Sequence, residues 1–353
     1  DFPDFLLAAA PKPFLMTTAI RDFFPIAGAR STHREAVNLF EQLGASEKAG
    51  YFEFDDTHGW SQPRRQAAYR WLDKWFQSKT SDGAEPPIET LAESRLYATP
   101  TGQLTTSGGS ETVQSLNARA ARELKSRRPV ADRATILRAL GLGTATPGFT
   151  VHPAGTTALD SFADVEKVEF EVAPQVRIPA LLYLPRGVSG KRPAILHADP
   201  TGKAVPAIAE FVQAGHIVLA IDPRGAGESY PRPQRGGYSP AYQLAARMWL
   251  LGGSVAAMHV EDLRVGIQWL AKHPKVDAAR IKVLGKGELG PAALIAAAVE
   301  PAASAVAIES SIVSYQQFAE AKLHDGLYSQ VIPGVLKHFD LDDAIRLIAP
   351  RSV

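Results

Sequence analysis

The sequence contains no cysteine among its 353 residues, and this absence removes several kinds of chemistry. Without cysteine there is no disulfide, no thiolate metal site and no cysteine nucleophile. The compartment stays open, because a cysteine-free chain folds in reducing and oxidising surroundings alike. The nine histidines are scattered and lack the paired spacing of a zinc site, so we expect neither a metal nor a cofactor.

An excess of charge and long hydrophobic runs are missing as well. Lys+Arg 38 against Asp+Glu 37 leaves a net charge of +1, without a basic block, so nucleic acid is not an expected partner. No apolar run approaches the roughly 18 residues that cross a bilayer, so a membrane partner is not expected either. The chain opens with Asp1 rather than Met and shows no signal peptide, which fits a processed or excised piece and leaves localisation open.

The most informative stretch that is present runs from residue 280 to 299. An apolar run ending at Leu284 meets Gly285, Gly287 and Gly290, and an alanine-rich segment follows. This pattern predicts a strand, a sharp turn and a helix. In an α/β hydrolase such a turn is the nucleophile elbow, G-x-S-x-G, which exposes a serine above the sheet. Here glycine occupies the serine position, so the stretch favours the fold but not the usual chemistry.

Continuous apolar strands alternate with helices from about residue 162 onward, for example at 193–197, 217–221 and 281–284. This alternation predicts an α/β protein with a mostly parallel sheet and helices on both faces. Earlier segments, 14–18 and 51–54, also read as short strands, and residues 62–76 as an amphipathic helix. Residues 165–172 and 177–184 read as an antiparallel pair, and residues 103–117 could form a strand and a loop. We therefore divide the chain into residues 1–80, a linker with surface helices at 81–150, and residues 151–353.

An internal similarity connects the two ends of the sequence. Residues 1–14 align without gaps on residues 340–353, with four identities in fourteen positions and a similar apolar pattern. If this similarity is real, the chain begins and ends at the same point of a repeating unit. Two arrangements follow. Either residues 1–80 complete one sheet with residues 151–353 as a circular permutant, or the two pieces belong to different units. We prefer the permutant, because a truncated sheet exposes long unpaired edges.

These motifs resemble those of bacterial acetylxylan-esterase-like α/β hydrolases, particularly tandem forms with two hydrolase units. The resemblance covers about residues 1–80 and 160–353 and depends on Asp22, the turn at 55–59, the loop at 222–229 and the altered elbow. It implies an α/β-hydrolase fold, ester hydrolysis, and a slight preference for a periplasmic or secreted location. It also implies that residues 1–80 correspond to the second half of a hydrolase unit and residues 151–353 to the first half.

Asp22 and His58 are the predicted acid and base. Each follows a predicted strand, and a serine hydrolase needs an imidazole that takes the proton of the nucleophile and a carboxylate that orients it. The alternatives are a turn aspartate ahead of Pro25 and a loop histidine ahead of the helix at Gln62. Asp55 and Asp56 are interpreted as turn formers.

The nucleophile has no certain candidate. Ser107 and Ser110 lie in a glycine-rich segment, and Ser310 and Ser311 follow a predicted strand; each also fits an ordinary loop serine. Glu288 could act as a base on water, but a glutamate at a helix N-terminus is usually favoured by the helix dipole. His197 and Asp199 mark the post-strand region where hydrolases place an oxyanion-hole N–H. Asp222 and Arg224 are interpreted as a structural ion pair.

Two functions remain open from the sequence. The first is a carboxylic ester hydrolase of the acetylxylan-esterase or carboxylesterase type, acting on small acyl esters, with Asp22 and His58 as acid and base. The second is a non-catalytic hydrolase-fold module that binds carbohydrate or has a structural role in a larger tandem enzyme. The expected partners are a small-molecule or carbohydrate ester and, for assembly, a homo-oligomer or an exchange of halves between chains.

Overall fold

The computed structural model describes residues 1–145, 147–187, 189–233, 238–322, 324 and 326–352. The described chain divides into two compact units, residues 1–107 (unit 1) and residues 108–353 (unit 2). The helices are α1 (Phe2–Ala9), α2 (Ile26–Gln42), α3 (Gln62–Phe76), α4 (Val113–Arg127), α5 (Arg133–Ala139), α6 (Ala207–Gln213), α7 (Pro240–Leu250), α8 (Val255–Lys272), α9 (Gly290–Val299), α10 (Tyr315–Glu320) and α11 (Leu341–Ile348). The strands are β1 (Phe14–Arg21), β2 (Ala49–Thr57), β3 (Thr150–Leu159), β4 (Ala163–Ala173), β5 (Val176–Pro185), β6 (Arg192–Ala198), β7 (Ile217–Ile221), β8 (Val276–Lys286) and β9 (Ala303–Glu309).

Unit 1 is built on a two-stranded sheet in which β1 and β2 run parallel, with Phe14 opposite Ala49. A parallel pair needs a crossover, and α2 supplies it. Phe40 of α2 packs edge-on against Phe14, and Trp71 of α3 lies so close to Gly50 that a side chain there would collide with it. The predicted helix from residue 62 to 76 is present with those bounds.

Unit 2 contains a seven-stranded sheet in the order β3-β4-β5-β7-β6-β8-β9. The pairs from β3 to β7 are antiparallel, and the pairs that join β7, β6, β8 and β9 are parallel. The sheet is therefore mixed, with its parallel half at the elbow. The predicted antiparallel pair, now β4 and β5, is confirmed.

Helices cover both faces of this sheet, as predicted. On one face α6 buries Ile208 and Val212 against a small apolar cluster. On the other face α8 and α9 belong to the main core, together with α4, α5 and α11. All ten residues of α9 are buried, which fits a helix that is apolar all round. Among the residues that the structure describes, no helix is both long and apolar enough to cross a membrane.

The predicted circular permutation is not seen. Among the residues that the structure describes, β1 and β2 pair as strands only with each other and do not extend the seven-stranded sheet. The free edge of β9 carries the end of the chain instead, because Ser352 forms a parallel bridge with Ala305 and accepts a hydrogen bond from the Val306 N–H at 3.0 Å. The edge that the permutant needed for β1 is therefore partly occupied.

Several elements differ from the sequence prediction, among them α10, which was not predicted. The strand considered within residues 103–117 is absent, because Thr112 caps a helix there and exchanges hydrogen bonds with Ser115. β3 was not predicted, since Pro153 and Gly155 interrupt its pattern; both lie at a bulge on an edge strand, where proline is tolerated. α7 was also missed, although Ser239 and Pro240 form a regular helix start.

Candidate functional site

The carboxyl ends of β1 and β2 place the predicted acid and base side by side. Because the two strands run parallel, the residues that follow them emerge at the same edge. Asp22 follows β1 and His58 follows β2, and Nδ1 of His58 lies 3.1 Å from both carboxylate oxygens of Asp22. Unit 1 therefore contains a carboxylate–imidazole pair.

The turn after β1 favours the charged form of the Asp22 carboxylate. The backbone N–H of Phe24 donates to Asp22 Oδ1 at 3.1 Å. This hydrogen bond, and then the neighbouring His58, hold the pKa of Asp22 below its usual value. An ionised carboxylate accepts a hydrogen bond from Nδ1–H of the imidazole and leaves Nε2 as the basic nitrogen.

The imidazole of His58 is accessible and has an aromatic neighbour. Its side chain is 60% exposed, and the ring centroids of His58 and Phe23 are 4.3 Å apart. Phe23 and Phe24 are themselves exposed. The pair thus lies on an open apolar surface that a substrate can approach.

The two aspartates before His58 have other partners. Asp55 pairs with Arg21 at 2.8 Å, and Asp56 accepts the Thr57 N–H at 2.8 Å. Their interpretation as turn formers is wrong, because β2 continues to Thr57 and both aspartates belong to this strand. They do not compete with Asp22 for the imidazole.

The structure does not join the serines of the glycine-rich segment to this pair. Ser107 is half-buried, and its hydroxyl lies 2.7 Å from that of Thr101 rather than bonding to His58. Ser110 is exposed and belongs to unit 2, where it precedes α4. Neither serine is positioned as a nucleophile by a contact of its side chain with a base.

The elbow of unit 2 has the backbone of a nucleophile turn without the nucleophile. Gly287 has φ +50°, and a Cβ placed there would meet only Pro200, at 3.4 Å. The flanking glycines are required for packing: a Cβ on Gly285 would lie 2.4 Å from the Cβ of Ala293, and one on Gly290 would lie 2.3 Å from Ser311 Oγ. Of these three glycines, Gly287 is the one at which an added Cβ would have the most space.

The side chains around the elbow are engaged with one another. Glu288 accepts a short hydrogen bond from the Ser329 hydroxyl, and Lys286 pairs with Glu309 at 3.3 Å. A cavity of about 510 Å³ opens beside Gly287 and Glu288 and is also lined by Ser310 and Ser311. A small molecule can therefore approach the elbow.

The two residues of the predicted oxyanion region, His197 and Asp199, are buried. His197 is fully buried at the end of β6, and burial lowers the pKa of its imidazole, which keeps the ring neutral. Asp199 accepts hydrogen bonds from the N–H and hydroxyl of Thr201, at 2.9 and 2.5 Å. Asp199 therefore holds the turn after β6, whereas neither ring nitrogen of His197 has a hydrogen-bond partner among the described residues.

The predicted ion pair between Asp222 and Arg224 is wrong. Asp222 pairs with Lys203 at 2.7 Å, and Arg224 pairs with Asp262 and Glu261. Asp222 and Arg224 are only two residues apart, but their side chains have different partners, so proximity in the sequence did not predict the ion pair. Burial raises the pKa of Asp262 to about 6, despite the opposing effect of Arg224. Two neighbouring acids in α8, Glu261 and Asp262, were the sequence signal for the partners of Arg224.

Part of the sequence matches a known protein family. The model of the acetyl xylan esterase family matches residues 156–341, more than half of the chain. The chain belongs to the acetyl xylan esterase family. The matched segment contains the elbow of unit 2 and ends before α11 does; Asp22 and His58 lie outside it. A search of curated proteins finds no match.

Three solved structures are similar to this acetyl xylan esterase family member, and the first of them shares its fold. A putative acetyl xylan esterase from Bacteroides fragilis NCTC 9343 has a TM-score of 0.59 at 17% identity, over 70% of this chain and 75% of that chain. Acetyl xylan esterase 1 from Thermoanaerobacterium sp. JW/SL YS485 gives 0.43 at 20% identity, over 65% and 72%. A glucuronoyl esterase from Solibacter usitatus gives 0.42 at 18%, over 75% and 78%.

Membership of the acetyl xylan esterase family has a direct consequence for the enzyme class. The fold is that of an α/β hydrolase, and the family is one of carboxylic ester hydrolases, so the chain is assigned to the carboxylesterases. The identities of the solved structures are too low to transfer a substrate or a catalytic residue.

Proposed function

We propose that this protein hydrolyses small acyl esters and that Asp22 and His58 are its acid and base. The observation that carries the proposal is the contact of His58 Nδ1 with both oxygens of Asp22, at 3.1 Å each. This is the arrangement in which a carboxylate orients an imidazole for general base catalysis. The exposure of the ring and its place at the carboxyl edge of parallel strands support the same role.

The chemical steps follow from that arrangement. His58 Nε2 takes the proton of a serine hydroxyl as its oxygen attacks the ester carbonyl, and then gives this proton to the departing alcohol. Water repeats the sequence on the acyl-enzyme and releases the acid. Asp22 remains ionised and stabilises the imidazolium in both halves. Because residue 287 is glycine, the nucleophile is a serine from elsewhere, either in this chain, where Ser107 and Ser110 are the candidates, or in another chain.

We also propose that the alcohol part of the ester is a carbohydrate. The support is the family match and the names of the similar structures, acetyl xylan esterases and a glucuronoyl esterase. An open apolar surface with Phe23 and Phe24 beside the base suits the apolar face of a sugar ring. The acyl group would be small, as an acetyl group is.

A second candidate is a non-catalytic module, and Gly287 favours it. Glycine at the elbow has no side chain to attack an ester, and the side chains around it are bonded to one another. Under this alternative the Asp22–His58 pair stabilises the turns after β1 and β2. The cavity beside Gly287 and Glu288 binds carbohydrate without cleaving it.

Hydrolysis of p-nitrophenyl acetate by purified full-length protein separates the two. We expect His58→Ala to abolish turnover and His33→Ala, a histidine of the same unit that bonds the Ala49 carbonyl, to leave it unchanged. Serine variants at 107 and 110 then test the nucleophile. Equal hydrolysis by the wild type and His58→Ala would remove the catalytic proposal and leave the binding module.

A further inference from the structure

Helices α1 and α11 occupy matching positions of the internal repeat, in which residue 1 aligns with residue 340. Both begin with the same reciprocal cap, Asp1 with Asp4 and Asp340 with Asp343, and both are eight residues long. The sequence similarity between the two segments is therefore matched by the same local structure. This correspondence allows their surroundings to be compared residue by residue.

The two helices differ in what covers them. α11 packs on α9, and Leu341 and Ala344 are 0% exposed. The matching residues of α1 are Phe2 and Phe5, which are 73% and 75% exposed, and α1 buries none of its residues. Two phenylalanine side chains of α1 are thus exposed to solvent at positions whose counterparts in α11, Leu341 and Ala344, are fully buried. Contiguous exposed apolar surface of this kind marks an interaction site.

The segments that follow the helices match as well. After α11, Arg351 Nη1 donates to the carbonyls of Ala297 and Ala303 at 2.9 and 2.7 Å, and Ser352 bridges to Ala305 on the edge of β9. After α1, Lys12 is exposed at the position of Arg351, and β1 begins one residue after the position of Ser352. Residues 351 and 352 of unit 2 thus lie against α9 and β9.

The outer edge of β1 has room for such a neighbour. β1 pairs with β2 on one side and has no strand on the other among the described residues. A groove of about 380 Å³ runs along it, lined by Phe14 and Leu15 of β1 and by Trp71 and Trp75 of α3, with no residue of β2. An unpaired strand edge beside an apolar groove is a template for another strand.

We propose that α1 and the outer edge of β1 form a docking surface for α9 and β9 of a second copy of this chain. On that copy they take the place of α11 and residues 351–352. In unit 2, α11 and the residues after it pack on the alanine-rich helix α9 and on the edge strand β9. Every copy of the chain has this α9–β9 surface, so a second copy can offer it to α1 and β1. β1 extends the single bridge at Ala305 into a ladder along β9, and this gain offsets the loss of α11 packing. The proposal concerns assembly and holds whether or not Asp22 and His58 are catalytic.

The first test is light scattering of the full-length protein over a range of concentrations. We expect a monomer–dimer equilibrium. Phe2→Asp with Phe5→Asp should raise the dissociation constant by more than about a hundredfold, because carboxylates cannot be buried against α9 without partners. The matched control replaces Leu250 and Leu251, equally exposed residues at the end of α7, with aspartate and should dimerise as the wild type does.

A second variant tests the exchange itself. Leu341→Ala loosens α11 on α9 and should strengthen dimerisation, because it weakens the competitor for the same site; scattering distinguishes a dimer from an aggregate. A dimer that survives the aspartates at positions 2 and 5 would overturn the proposal. So would monomers for both the wild type and Leu341→Ala.

Discussion

The two units differ in how their polar groups are held. In unit 1 the buried hydrophobic residues are Phe40 and four alanines, Ala19, Ala36, Ala45 and Ala67, and the Asp22–His58 pair lies at an open edge. In unit 2 the sheet is covered on both faces, and ionised groups are buried in pairs, such as Arg264 with Glu300 at 2.6 Å. Unit 1 therefore holds an accessible carboxylate–imidazole pair over a small hydrophobic core, whereas unit 2 holds a well-packed elbow without a serine.

The comparison predicts that ester hydrolysis depends on the Asp22 carboxylate at the open edge of unit 1. Asp22→Asn should lower kcat for p-nitrophenyl acetate by about 10³–10⁴-fold, because the amide favours the wrong imidazole tautomer. Asp55→Asn, which removes only the exposed pair with Arg21, should change kcat little. If both variants lose activity equally, the Asp22–His58 contact is structural, and the contrast between the units fails.

Matched repeat positions should differ in stability. Leu341→Ala removes a fully buried side chain and should lower the free energy of unfolding of unit 2 by about 2–5 kcal/mol. Phe2→Ala, at the same repeat position on the exposed helix, should change stability by no more than about 0.5 kcal/mol in the monomer. Urea unfolding at low protein concentration measures both. A large loss for Phe2→Ala would mean that α1 is covered in solution.

Buried titratable groups give unit 2 its own pH dependence. Burial lowers the pKa of His259 to about 4, from 6.5 in the unfolded chain. Between these values the unfolded chain binds a proton that the folded protein does not, so stability falls as pH drops through this range, by up to about 3 kcal/mol. Asp262, with its pKa raised to about 6, acts in the opposite direction, since its folded form retains a proton.

The measurement that isolates His259 is the free energy of unfolding of wild type and His259→Gln between pH 4 and pH 6.5. The wild-type curve should rise with pH more steeply than that of the variant, because the variant keeps the opposing contribution of Asp262 alone. Parallel curves would show that the imidazole is protonated in the folded state.

The smallest effects concern the glycines of the elbow. Gly285→Ala should destabilise unit 2 by about 1–3 kcal/mol, because the new Cβ would overlap that of Ala293. Gly287→Ser should cost only about 1–2 kcal/mol, the penalty of a left-handed backbone for a residue with a side chain. Thermal unfolding compares them. An equal loss for the two would contradict the view that residue 287 has space for a serine.

Several local features of the chain were predictable because they depend on short-range patterns. The elbow strand and helix, the helix from 62 to 76 and the pair of β4 and β5 follow from apolar periodicity and from glycine, which are properties of neighbouring residues. The placement of Asp22 and His58 after two strands was equally visible. Their approach within 3.1 Å required the parallel pairing of β1 with β2, which no local pattern encodes.

Other features depended on partners distant in sequence. The ion pairs of Asp222 with Lys203 and of Arg224 with Asp262 join different loops and a helix, so the wrong pairing was the closest one along the chain. β3 was hidden because its proline and glycine are acceptable only at an edge with a bulge. Edge positions are decided by the assembled sheet.

The sequence by itself determined the α/β class, the glycine at the elbow and the presence of an acid and a histidine after two strands. Only the tertiary structure decided that β1 and β2 form a sheet of their own and that Ser352 lies on the edge of β9. The physical reason is that local pattern selects strand and helix, whereas strand partners are chosen by long-range burial and backbone hydrogen bonding. For the same reason, two copies of one helix pattern, α1 and α11, differ completely in what covers them.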